Sequence, residues 1–244
     1  MVSKSQIKLI TSLRQKKYRS KHQLFFAEGT KVINELYKAG WKIYTLFSTE
    51  KITGIEESKT ILITENELKK ISSLKTPNKA LAVFHIPSQQ EFKSKGLTVV
   101  LDDISDPGNL GTIIRLCDWF GIQNLVCSPD TVECFNPKVI QSTMGSIARV
   151  LVHYVDLEIF MENNEDLLVY GAFMDGENVY KEKLPEQGIL IMGNEANGIS
   201  GRMEKYISKK ISIPQFGDSQ NTESLNVATA TAILLSEFHR SIGK

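Results

Sequence analysis

Apolar residues recur along this chain with two periods that alternate, one helical and one extended. Ile7, Ile10 and Leu13 fall on one side of a helix predicted near residues 5–17. Leu24-Phe25-Phe26-Ala27 reads as a short strand. Glu28-Gly29 follows, then a helix carrying Val32, Ile33, Leu36 and Tyr37, with Thr30 placed to cap it and Gly40 to stop it. Further strands are predicted over 41–47, 61–63 and 80–86, and Thr64 with Glu67 has capping-box spacing ahead of Leu68 and Ile71. This alternation predicts a small α/β domain over residues 1–87. Pro87 and Gly96 bracket a polar stretch, which predicts a linker over 88–96.

The remainder, 97–244, reads as a second domain. It opens with Leu97-Thr98-Val99-Val100-Leu101, apolar along nearly its whole length. Strands follow at 124–127, 150–152, 167–173, 188–192 and 210–213, with helices over 109–120, 138–144 and 224–241. Strands that are continuously apolar predict a parallel sheet covered on both faces. The last helix is apolar nearly all round, through Val227, Ala228, Ala232, Ile233, Leu234 and Leu235, so it is expected to be buried in the core or against a second subunit.

Composition changes this picture little: 41% hydrophobic and 23% charged residues are ordinary for a globular protein. No apolar run approaches the roughly 20 residues that span a bilayer, and the first residues lack the apolar core of a secretory signal. Cys117, Cys127 and Cys134 are odd in number without CxxC spacing, which predicts reduced thiols and a cytoplasmic setting. Charge adds more. Lys4, Lys8, Arg14, Lys16, Lys17, Arg19 and Lys21 precede the first acid, Glu28; removing these seven from the chain's 29 leaves 22 basic against 28 acidic groups. A basic arm on an acidic body suits nucleic-acid phosphates, and equally a solvated helix face. Tyr18 and His22 lie among its charges, where they are able to stack on bases.

Three stretches carry the candidate chemistry. They are Asp106-Pro107-Gly108-Asn109-Leu110-Gly111 with Arg115, then Ile191-Met192-Gly193-Asn194-Glu195, and last Ile213-Pro214 with Ser224-Leu225-Asn226. Each follows a predicted strand, where ligands gather in open parallel sheets, and adjacent strands would bring the three loops together. Glycine-rich backbone beside one fixed cation, one carboxylate and two carboxamides suits a polar or phosphate-bearing ligand. Residue by residue, plainer roles stay open. Asn109, Ser224 and Asn226 suit helix capping, Arg115 a surface ion pair, Gly193 a tight turn and Gly145 either a turn or a close approach. There is no GxGxxG or GxxxxGK[ST] loop, His22, His85, His153 and His239 lack HExxH spacing, and no metal is implied. His85 and His153, inside apolar strands, read as structural.

The same residues resemble the SpoU (TrmH-like) family of S-adenosylmethionine-dependent RNA 2′-O-ribose methyltransferases. Residues 106–115 look like its first motif, Ile191 to Glu195 with Gly198-Ile199 its second, and Ile213-Pro214 through Ser224-Leu225-Asn226-Val227-Ala228 its third. The likeness covers about 97–240, and Phe26-Ala27-Glu28-Gly29 looks more loosely like the substrate-binding domain ahead of many members. In one departure the link 215–223 is a few residues longer than is usual. The resemblance implies a SPOUT fold, a parallel sheet with a deep C-terminal trefoil knot, in a homodimer. It implies S-adenosylmethionine bound by Met192, Gly193, Asn194, Ile213 and Leu225, with Asn109, Arg115, Glu195, Ser224 and Asn226 lining the transfer site. A guanidinium resists deprotonation, so Arg115 is expected to bind the adjacent phosphate and stabilise the developing alkoxide. Glu195 and Asn109 would orient it. RNA is the expected partner, ribosomal favoured over transfer RNA, with no membrane and no metal. A transfer-RNA enzyme and an inactive RNA-binding homologue are the alternatives.

Overall fold

A computed structural model describes residues 1–88, 91–92, 96–216 and 224–240. The chain divides into two compact units, Met1–Gln89 with Glu133–Arg149, and Gln90–Val132 with Val150–Lys244.

In the first unit, α1 (Lys4–Ser12) starts at a capping box in which Ser3 and Gln6 satisfy each other's backbone N–H groups. The helix predicted over 5–17 then breaks, and α2 (Lys16–His22) follows. The break is held from further along the chain: Arg19 donates to the carbonyls of Leu13 and Arg14 at 2.9 and 3.0 Å. β1 (Leu24–Glu28), α3 (Thr30–Lys38), β2 (Ile43–Ser48), β3 (Thr60–Leu62), α4 (Glu65–Ile71) and β4 (Ala80–His85) complete the pattern. The sheet order is β1-β4-β2-β3, antiparallel except for β2 with β3. Ile10 and Leu13 pack with Phe26, Phe47, Leu68, Ile71 and Leu81 in one core, each such burial contributing about 1.5–3 kcal/mol. Glu28 is buried and accepts from the Ser73 N–H at 2.8 Å and from the Ser72 hydroxyl, tying the end of β1 to the end of α4. His85, expected to be structural, is exposed at the end of β4 and stands edge-on to Tyr44.

The second unit holds β5 (Leu97–Leu101), α5 (Pro107–Trp119) and β6 (Asn124–Cys127). The chain then leaves it: Glu133–Arg149, carrying α6 (Pro137–Thr143), belongs to the first unit, although it was expected inside the second domain. Phe135 packs on Phe25 and Trp41, and Arg19 pairs with Glu133. At Gly145 both readings apply. Its φ is +97°, and a β-carbon there would lie 2.6 Å from that of Glu35.

β7 (Leu151–Tyr154), α7 (Leu157–Glu162), β8 (Val169–Asn178), β9 (Gly188–Met192), α8 (Gly201–Glu204), β10 (Lys209–Ser212) and α9 (Val227–Arg240) follow. The sheet is parallel throughout, in the order β10-β8-β9-β5-β6-β7. β5, β6 and β9 are buried at every position, as continuously apolar strands require. Ile189 and Ile191 pack with Phe160, Met161 and Met203, while α9, which buries Val227, Ala228, Leu234, Leu235 and Phe238, packs on α5. Phe92 joins the core beside His153 and Phe160; residues 89–90 and 93–95 of the predicted linker lie outside the described residues. His153 is buried against Asn124 at 3.1 Å, and burial lowers its pKa. The three cysteines are buried thiols outside any disulfide among the described residues, and burial pushes the Cys117 thiol up to about 12. Among the described residues no helix is long and apolar enough to cross a membrane.

Candidate functional site

Two loops at the carboxyl edge of the sheet are stitched together directly, because β5 and β9 are neighbours. Asp102, buried at the end of β5, accepts the Ser200 N–H at 2.7 Å. Asn194 donates from Nδ2 to the Asp103 carbonyl at 2.6 Å, and its Oδ1 accepts from the N–H groups of Ala196 and Asn197. Its backbone N–H and carbonyl are bonded to Gly198. Asn194 therefore shapes the loop with groups that would otherwise be free for a ligand. Gly193 has a related duty. A β-carbon there would lie 2.2 Å from the Gly198 carbonyl carbon and the Ile199 nitrogen, so the requirement for glycine is set within the loop.

α5 begins with Asp106 as its cap, accepting from the Asn109 N–H at 2.9 Å, and Pro107 in its first turn. The cap duty open to Asn109 is thus taken by Asp106, leaving the Asn109 side chain free for other partners. Asn109 Nδ2 donates to Glu195 Oε1 at 2.9 Å, and Asn109 Oδ1 accepts from Asn226 Nδ2 at 2.9 Å. Asn226 Oδ1 in turn accepts from the Ala228 and Thr229 N–H groups at the start of α9. For Asn226, capping and the site role coexist.

Glu195 also accepts from the Ser105 N–H and hydroxyl at 3.2 and 3.1 Å and from the Asp106 N–H at 3.2 Å. Burial pushes its carboxyl upward, but the bonds from Asn109 and from backbone N–H groups, including those of Ser105 and Asp106, outweigh this and hold it below its ordinary value. A carboxylate so depressed and so well supplied with donors is a weak general base. Asp103, at φ +60°, moves the other way: burial and the charges of Asp130, Asp102 and Glu195 raise its pKa, with Arg202 opposing.

A cavity of about 710 Å³ adjoins this network. Met192, Gly193, Asn194 and Glu195 line it from the β9 loop, and Ile213, Ser224, Leu225 and Asn226 from the segments that precede α9. β10 is not adjacent to β9, as the loops' expected meeting would require. β8 lies between them and contributes Ala172, Phe173 and Met174 to the wall. Leu234 of α9 closes a further part. Asn109 and Arg115 do not line the cavity. Arg115 is exposed on α5 and has no hydrogen bond or ion pair among the described residues, so Glu195 orients Asn109 and not Arg115. In the longer link, residues 217–223 lie outside the described residues.

Sequence reading missed Ser105, the β8 wall and Leu234 as site residues. Asp106 ahead of Pro107 was a readable cap signal; nothing in the sequence marked the others.

The model of the SpoU rRNA methylase family matches residues 96–236. The chain belongs to the SpoU rRNA methylase family. Ahead of the SpoU region, the MRM3-like substrate-binding domain matches residues 4–82. The SpoU relative RlmP of Bacillus subtilis strain 168, a 23S rRNA (guanosine(2553)-2′-O)-methyltransferase, is 30% identical over 234 residues, covering 91% of each chain. A solved TrmH-family structure from Porphyromonas gingivalis is 38% identical, covers 98% of this chain and 99% of its own, and superposes with a TM-score of 0.88. The AdoMet-bound rRNA methyltransferase from Sinorhizobium meliloti is 27% identical, covers 100% and 98%, and gives 0.87.

Proposed function

We propose that this protein is an RNA 2′-O-methyltransferase that transfers a methyl group from S-adenosylmethionine to a ribose hydroxyl of ribosomal RNA. The observation that carries the reading is the Glu195–Asn109–Asn226 chain at the rim of a cavity of about 710 Å³. That volume lies in the range of roughly 300–1,000 Å³ usual for small-molecule sites. Apolar walls from Met192, Ile211, Ile213 and Leu234 suit an adenine and a thioether-like chain, and the polar rim suits ribose hydroxyls and a charged tail.

When bound, S-adenosylmethionine supplies an electrophilic methyl group. The chain's own residues do the rest by position. Glu195 stays ionised and fixes the Asn109 amide. Asn109 and Asn226 hold the polar edge of the site in one orientation. Arg115 offers an exposed planar guanidinium matched to a phosphate. Its place outside the cavity lining supports phosphate binding over direct contact with the reacting oxygen.

Ribosomal RNA is favoured because RlmP and the Sinorhizobium enzyme, both named for it, match across both units. The Aquifex aeolicus tRNA-modifying enzyme matches only 61% of this chain, with a TM-score of 0.51. A homodimer, the trefoil knot and a cytoplasmic setting belong to the same reading; an exposed Trp119 at the end of α5 supports a second copy.

The test is methyl transfer from labelled S-adenosylmethionine to unmodified ribosomal RNA and, separately, transfer RNA, with nuclease digestion and mass spectrometry of ribose-methylated nucleosides. Signal on ribosomal RNA, lost with Arg115→Ala, is expected. Absence of S-adenosylmethionine binding by calorimetry would sink the enzyme reading.

A further inference from the structure

The basic arm of the first unit is not uniform. Two of its cations are consumed by the fold. Arg14 donates to the Ser72 carbonyl at 2.8 Å. Arg19, only 2% exposed, donates to two backbone carbonyls and from Nε to Glu133 at 2.9 Å. The others on α2, namely Lys16, Lys17 and Lys21, are exposed and have no hydrogen bond or ion pair among the described residues. With Arg19 facing inward, the 100° helical step turns Lys17 and Lys21 to the opposite, outer pole. Tyr18 and His22 stand beside them, stacked on each other at 6.4 Å with an interplanar angle of 15°.

This face is costly for a helix of seven residues. Like charges four apart repel, and the first turn carries lysines where the helix dipole favours acids. The helix is nonetheless fixed, by the inward Arg19 and by Gln23, which closes it in the left-handed conformation and bonds back to Ser20 at 2.8 Å. Acids of the same unit are engaged elsewhere: Glu35 with Arg149, Glu50 with Lys79, Glu56 with Lys59 and Glu57 with Lys51. None of these acids pairs with Lys16, Lys17 or Lys21, so the outer face is left positive.

We propose that the outer face of α2, Lys17 and Lys21 with Lys16 at its flank, binds the phosphate backbone of the RNA substrate, with the Tyr18–His22 pair beside it. This rests on the methyltransferase reading above, and it assigns that reading a substrate-holding surface. Arg19 is a positioning residue here, since it fixes the helix that carries the lysines.

The experiment uses the full chain, in vitro transcribed large-subunit ribosomal RNA as the probe, and filter binding across a salt series. Lys17→Glu/Lys21→Glu is compared with wild type and with Lys69→Glu/Lys70→Glu, an equal charge change at exposed positions of α4. The α2 variant is expected to lose affinity by at least about tenfold, and the slope of log K against log salt to flatten by roughly 1.4–1.8, the release expected for two phosphate contacts. Lys17→Gln/Lys21→Gln should do the same with no added repulsion. S-adenosylmethionine affinity and the circular dichroism spectrum should stay at wild-type values. Equal losses in the α2 and α4 variants would reduce the effect to net charge and overturn the surface. Wild-type RNA binding by both α2 variants would overturn it while leaving the enzyme reading intact. Failure of the wild type itself to bind RNA would overturn both.

Discussion

Asn226, the cap of the last helix, donates from Nδ2 to Oδ1 of Asn109, 117 residues earlier in the chain, at 2.9 Å. The direction of this bond is set from both ends. Glu195, ionised, can only accept, so Asn109 must turn its NH₂ toward it and its oxygen toward Asn226. Asn226 must then offer its NH₂ to Asn109 and its oxygen to the N–H groups of α9. One carboxylate thereby fixes the orientation of two amides and links the starts of two helices.

Replacing Asn226 by Asp separates stability from activity. Asp caps a helix as well as Asn, so the unfolding free energy should stay within about 0.5 kcal/mol of wild type. The donor to Asn109 is lost and oxygen faces oxygen, so methyl transfer should fall by about 10²-fold through misplacement of the site. Urea unfolding and single-turnover transfer measure the two; a variant with normal turnover would show that the Asn226–Asn109 bond is dispensable.

The Glu195 network gives a pH signature. Because the folded carboxyl titrates below its ordinary value of 4.5, its stabilisation is present above that value and is lost as pH falls through the folded-state pKa. Glu195→Gln should therefore be less stable than wild type by a constant margin from about pH 8 to about pH 5, with the margin shrinking on further acidification. Denaturant midpoints across pH give the test, and a margin that widened in acid would contradict it.

Gly193→Ala places a methyl group against backbone atoms at 2.2 Å, so the β9 loop must move. A loss of roughly 1–3 kcal/mol is expected, together with weakened S-adenosylmethionine binding, because the same loop lines the cavity. Thermal unfolding and calorimetry read both effects. Unchanged cofactor affinity would mean that the loop tolerates displacement.

Arg115 lies outside the cavity lining. Arg115→Ala should leave S-adenosylmethionine affinity unchanged and lower transfer by about 10²–10³-fold, with Arg115→Lys recovering only part, since an ammonium lacks the planar fork. Calorimetry beside single-turnover kinetics distinguishes the two effects. A drop in cofactor affinity would put Arg115 in the cofactor site.

Glu133→Ala leaves the inward guanidinium of Arg19 without its carboxylate. The expected cost is about 3–5 kcal/mol, whereas Arg19→Met/Glu133→Leu together should recover most of it. Chemical denaturation of the single and double variants checks this.

Much of the site was legible because its motifs are local. Glycine, asparagine and a cap residue placed after an apolar strand have physical meaning within a few residues. What each side chain touches was not legible. Glu195 was expected to orient Arg115; both Arg115 and Asn109 lie on α5, and it is Asn109, in the first turn, that meets the β9 loop. The β8 wall was invisible because Phe173 and Met174 lie within a strand that carries no motif, and their placement depends on β8 lying between β9 and β10.

By itself, the sequence determined the alternation of helices and strands, the parallel sheet and the three loops after its strands, since burial of apolar residues at fixed periods and capping by short polar side chains are local constraints. Tertiary structure alone decided the break between α1 and α2, where Arg19 closes the turn, and the allegiance of Glu133–Arg149 to the first unit. It alone decided which cations of the basic arm are consumed and which stay free, because a guanidinium's partners are set by what folding brings within about 3 Å, and sequence spacing carries no such distance.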